Sequence, residues 1–109
     1  MPNSASAEMT NETPGEAPTF DSTLRWDEVE LPSPIAESDL DDVLFSVMQP
    51  QWRKTAMILV KADERCRERS WPIGLAVLAA RVQALAEAGR IDHQGELRYW
   101  RFSEVRLKP

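Results

Sequence analysis

Residues 72–89, PIGLAVLAARVQALAEAG, run directly into residues 90–102, RIDHQGELRYWRF, and the reading of this junction decides the fold. In the first stretch Leu75, Leu78, Val82, Leu85 and Ala86 recur at helical spacing and share one face. Pro72 suits the opening position of a helix and Gly89 its stop, so the spacing predicts a helix over 72–88. Past Gly89 the period becomes that of a strand. Gln94-Gly95 is a turn signal, and Leu97 to Leu107 reads as the returning strand of a hairpin. On such a strand Tyr99 and Arg101 share one face and Trp100 and Phe102 the other. The apolar phase then shifts to Val105 and Leu107, which predicts a bulge near Ser103-Glu104.

Two further helices precede this unit. Ser38 and Asp41 have the form of a capping box, and Asp39, Asp41 and Asp42 crowd a first turn whose dipole favours acids. A helix over about 39–48 follows, with Leu40, Val43, Leu44, Val47 and Met48 on one stripe. Gln49-Pro50 breaks it, and a second helix is expected from Gln51. Its apolar side holds Trp52, Ala56, Leu59, Val60 and Cys66, with Trp52 expected between the first and third helices. Lys54, Lys61 and Arg65 form a solvated stripe opposite. Asp63 falls on the apolar side, so either the helix ends near Ala62 or Asp63 pairs with an arginine such as Arg81.

The 109 residues leave room for one small domain, with net charge -5 unevenly spread. Residues 1–38 hold eight acids against Arg25, a net -7, and residues 39–109 hold ten acids against twelve Lys or Arg, a net +2. The polar, Pro-containing residues 1–18 are too poor in large apolar groups to offset their ordering entropy and are expected to be disordered. Residues 19–31, TFDSTLRWDEVEL, alternate enough to form a short strand at 23–31 or an acidic aromatic peptide that docks, before Pro32 and Pro34 end the pattern. The organisation is thus a disordered acidic arm over 1–37 and a domain over 38–109, without internal repeats. A lone cysteine, Cys66, and an N-terminus lacking a basic start and an apolar run point to a reducing, cytoplasmic compartment. No stretch has the apolar length of a membrane span, so no membrane partner is expected.

Helix, helix, helix and two-stranded wing resembles the winged helix-turn-helix, and AEAGRIDHQG (residues 86–95) is similar to the helix-to-wing junction of that superfamily. More narrowly, Trp52-Arg53-Lys54, the turn from Leu85 to Arg90, and Ser103 to Leu107 resemble a small bacterial family, a domain of uncharacterised function. The likeness covers residues 39–107. It implies an α+β, winged-helix-like fold with three helices and a C-terminal hairpin, and it implies no activity.

The chemistry-bearing residues support no enzyme. His93 is the one histidine and sits beside a turn, with no ligand set around it for a metal. Cys66 lacks an evident base, and no Gly-rich phosphate loop exists, so neither cofactor nor small-molecule substrate is expected. Base reading needs Arg, Lys, Asn or Gln on the third helix, where Gln83 alone could serve and Glu87 would repel phosphate. That helix instead carries a second apolar ridge of Ile73, Val77, Ala80 and Ala84. The ridge suits a protein partner or a homodimer, or cover by residues 19–31. The expected function is a protein-interaction module. The alternative is a nucleic-acid-binding regulator gripping phosphates through Lys54, Lys61 and Arg65 with Arg98, Arg101 and Arg106 on the wing, aided by Gln83.

Overall fold

The computed structural model describes residues 22–109, so the expectation of disorder over 1–18 lies outside the described residues. Helix α1 spans Glu37–Val47. It starts ahead of the expected capping box because Asp39, not Asp41, closes its N-terminus: Asp39 Oδ2 accepts from the Ala36 N–H at 2.8 Å. Leu40, Val43, Leu44 and Val47 are buried, as their spacing demands.

The second helix does not begin at Gln51. Residues 53–54 form strand β1 (Arg53–Lys54), and α2 spans Thr55–Glu68. The reason is pairing with the end of the chain. The Leu107 N–H donates to Gln49 O at 2.9 Å and the Thr55 N–H to Ser103 O at 3.0 Å, which ties residues 49–54 to the end of the chain and keeps them out of the helix. Trp52 consequently sits outside the core. It is half-buried, with the Arg106 guanidinium 4.5 Å from its ring centroid. Val60 faces solvent, and Ile58, Leu59, Ala62 and Cys66 supply the buried face of α2. The helix continues through Asp63, which is buried and paired one turn on with Arg67 (Nε to Oδ2, 3.0 Å) rather than with Arg81.

Helix α3 spans Leu75–Glu87, shorter than expected at its start because Pro72 and Ile73 lie in the connection from α2. Its end is as the sequence indicates. Gly89 takes φ 76, its N–H donates to Ala86 O, and the Arg90 N–H donates to Leu85 O at 2.9 Å, which satisfies the last carbonyls. Strand β2 (Ile91–Gln94) and strand β3 (Glu104–Leu107) follow. They pair antiparallel with Ile91 opposite Leu107 and Gln94 opposite Glu104, and β1 adds to the other edge of β3, giving a three-stranded sheet in the order β1-β3-β2.

Residues 97–102 are not a strand, and there is no bulge at 103–104. The chain leaves β2 at Gly95 (φ 82) and makes a 3-10 turn over Trp100–Phe102 before β3. Ser103 fixes this path from a buried position: its hydroxyl donates to Tyr99 O at 3.0 Å and so accepts from Thr55 Oγ1 at 2.8 Å. Trp100 and Phe102, expected on one face, part company: Trp100 is 3 % exposed and Phe102 78 %. The described residues are α+β, with three helices, a small antiparallel sheet and one core shared by both.

Candidate functional site

The arm meets α3. Residues 26–28 form a 3-10 turn (Trp26–Glu28) instead of the expected strand, and this turn packs on α3. Its own polar bonds shape it: the Arg25 N–H donates to Glu28 Oε1 at 2.9 Å, and Arg25 forks onto Asp27 at 3.1 and 3.3 Å. Arg25 holds the Asp27 carboxyl below its ordinary range through that hydrogen bond.

Trp26 is the anchor. Its ring lies 4.8 Å from the Arg81 guanidinium, and its indole N–H donates to Glu37 Oε1 at 3.2 Å. Arg81 is itself buried and bound on three sides. Nε and Nη2 reach Asp41 at 2.6 and 3.0 Å, and Nη2 lies 3.2 Å from Glu37 Oε2. The Asp41 hydrogen bond raises the guanidinium pKa against the opposing effect of burial, so Arg81 is always charged. Arg90 adds a looser contact to Asp41 at 3.6 Å and lies 5.4 Å from the Phe45 ring. Two helices and the arm are thus joined at one cation.

The second apolar ridge of the third helix is largely covered within the chain. Ile73 is 5 % exposed and belongs to the core ahead of α3, Val77 is half-buried against that core, and Ala80 is 3 % exposed. Ala84 is half-buried and borders a cleft of about 290 Å³. The cleft is walled by Arg25, Trp26 and Asp27 of the arm and by Ala80, Gln83, Ala84 and Glu87 of α3. The small side chains that make α3 a flat surface are what admit the arm.

The expected cationic set is only partly assembled. Lys61 and Arg65 lie exposed on α2 and Lys54 is exposed on β1. Arg98 and Arg101 are exposed in the loop after β2, where Arg98 lies 5.1 Å from the Tyr99 ring. Arg106 is engaged by Asp92 at 3.0 Å and by Trp52. Gln83 points along the cleft toward Glu87, 3.5 Å away. Met57, Val60, Tyr99 and Phe102 are large apolar side chains that face solvent, although helical spacing puts Val60 on the apolar side of the second helix. Met57 and Val60 lie on α2, Tyr99 just before the 3-10 turn at 100–102 and Phe102 at its end, and that turn packs against α2.

Two groups with reactive potential have plain surroundings. His93 is exposed at the end of β2, and Cys66 is buried, its thiol pushed up first by that burial and then by Asp63. Among the described residues no cluster of three or more His, Cys, Asp or Glu is placed to hold a metal, and no helix is long and apolar enough to cross a membrane. No family model, curated protein or solved structure matches the chain.

Proposed function

We propose that the chain is a winged-helix domain that works, without catalysis, as a protein-interaction module, and that the outer flank of α3 is its docking surface. The order α1, β1, α2, α3, β2, β3 and the sheet order β1-β3-β2 support the winged-helix reading, with α3 in the place of the contact helix and the 95–103 loop as the wing. A fold of this kind does not settle what the contact helix meets. One observation carries the choice: the flank of α3 already holds a peptide segment, the aromatic and acidic turn Trp26–Glu28. Its surroundings suit that occupant and not a phosphate backbone, because Asp27, Glu28 and Glu87 would repel phosphates and Gln83 faces Glu87. The buried free thiol of Cys66 fits a reducing compartment such as the cytoplasm.

The test is Ala80→Arg with a salt-varied duplex titration followed by NMR. A long cation at Ala80 collides with the arm, so the Trp26 indole resonance should move to its solvent-exposed position, and duplex should shift neither α3 nor the wing. An arm that stays seated while duplex binding tightens, with a salt dependence steeper by about one charge, would overturn the proposal in favour of a nucleic-acid regulator using Lys54, Lys61, Arg65, Arg98 and Arg101.

A further inference from the structure

We infer that the seat on α3 is an exchangeable peptide site, whose ligand class is a short segment of another protein with an arginine, a tryptophan and two acidic residues in succession, and whose resident occupant is this chain's own arm. The inference rests on the reading of α3 as a docking surface and adds the chemistry of the partner. The resident segment defines that chemistry. A tryptophan ring covers the Arg81 guanidinium, its indole N–H reaches the Glu37 carboxylate, and acids at the next two positions brace the turn against Arg25. A partner segment of the same kind can make the same contacts.

Three observations make the arm displaceable. No residue of its turn is buried, and Trp26 is only half-buried. The bonds from Arg25 to Asp27 and Glu28 are internal to the arm, so they survive its departure and hold nothing to α3. The arm's own side chains do not occupy the cleft of about 290 Å³ between the turn and Ala80, Gln83, Ala84 and Glu87. A ligand that fills it gains contacts the arm does not make. Trp26, Leu31 and Ile35 all pack against the core, and since Leu31 and Ile35 follow the turn, exchange needs only Trp26 and the segment ahead of Leu31 to lift.

A short tether presents the arm at an effective concentration of order mM, so it masks the site from weak ligands. Removing the anchor removes the mask. The probe is a fluorescent peptide of residues 19–31, TFDSTLRWDEVEL, added to the full-length protein. Trp26→Ala protein should bind it at least about ten-fold tighter than wild type, with amide shifts centred on Ala80, Arg81 and Ala84, and the peptide carrying Trp26→Ala should not bind. Trp26→Gln, which also removes the anchor from the arm and leaves Arg81 and Glu37 of the seat in place, provides a second unmasked protein whose folding is checked by its amide spectrum. Folded Trp26→Ala and Trp26→Gln proteins that both ignore the peptide would overturn the inference, as would wild type binding it as tightly as Trp26→Ala. Either result leaves the outcome of the Ala80→Arg test to judge the broader proposal on its own.

Discussion

Arg81 of α3 sets its Nε 2.6 Å from Oδ1 of Asp41 on α1, an ion pair enclosed between two helices, with side-chain exposures of 8 % and 11 %. Burying two charges costs desolvation that their attraction only offsets when geometry is good, and removing one partner strands the other. Arg81→Met should therefore cost about 3–5 kcal/mol, while Asp41→Leu combined with Arg81→Met should recover most of that loss. Thermal melts of the two single variants and the double variant test this. The double variant would keep its core but lose the seat for Trp26, so restored stability with a freed arm is the expected pair of results. A double variant no more stable than Arg81→Met would show that the pair is not the coupling described.

Trp100 and Phe102 are two residues apart and differ almost completely in exposure, 3 % against 78 %. Trp100→Ala should cost about 3–5 kcal/mol and Phe102→Ala no more than about 0.5 kcal/mol. Trp52→Ala should fall between them, since the ring is half-buried and its Arg106 contact is worth about 0.5–1 kcal/mol. Urea midpoints rank the three. Trp52 costing more than Trp100 would return the core tryptophan to the position that helical spacing suggests.

Gly95 leaves β2 with φ 82, and a Cβ there would stand 2.6 Å from Phe102 O, a backbone atom that cannot swing aside. Gly95→Ala should cost more than the ~1–2 kcal/mol of a left-handed residue alone, because the 95–103 loop must shift. Gly74, at the N-cap of α3, has open space around it and no side-chain cap. Gly74→Ser should be neutral or raise the melting point by a few degrees through the added cap. Equal melting points for Gly95→Ala and wild type would contradict the close approach.

The legible part of this chain is what local physics alone decides. The core face of α3, its end at Gly89 and the stripe of α1 follow from period and from a glycine with positive φ. What was not legible depends on residues far apart in sequence. Residues 51–54 read as helix because nothing in Trp52-Arg53-Lys54 opposes one, and the bonds that keep them out of it come from Ser103 and Leu107. Residues 97–102 alternate like a strand, yet Ser103 and Thr55 fold them into a turn. The arm site had a usable signal. Asp41 and Arg81 each interrupt an apolar stripe, and opposite charges on two core-facing stripes are a reason to pair them. Asp63 gave the same signal and was answered locally by Arg67, so the choice of partner needed the fold.

Asp92 and Arg106 stand opposite each other on β2 and β3, 3.0 Å apart, with Lys108 3.5 Å from the same carboxyl. Arg106 first, and Lys108 after it, hold the Asp92 carboxyl below its ordinary range. A carboxyl with a lowered folded-state pKa stabilises the fold above its unfolded value, about 3.9, and that contribution disappears as pH falls through the folded value. Wild type should therefore lose stability as pH falls below about 4 more steeply than Asp92→Asn, which has no proton to take up there. Below the folded value the slopes should become parallel. Because the pair is partly open to solvent, added salt should narrow the difference between the two proteins at neutral pH. Urea midpoints from pH 7 to pH 2 at low and high salt measure both effects. Curves for wild type and Asp92→Asn that run parallel across the acid limb would show that this sheet pair plays no part in the acid sensitivity of the fold.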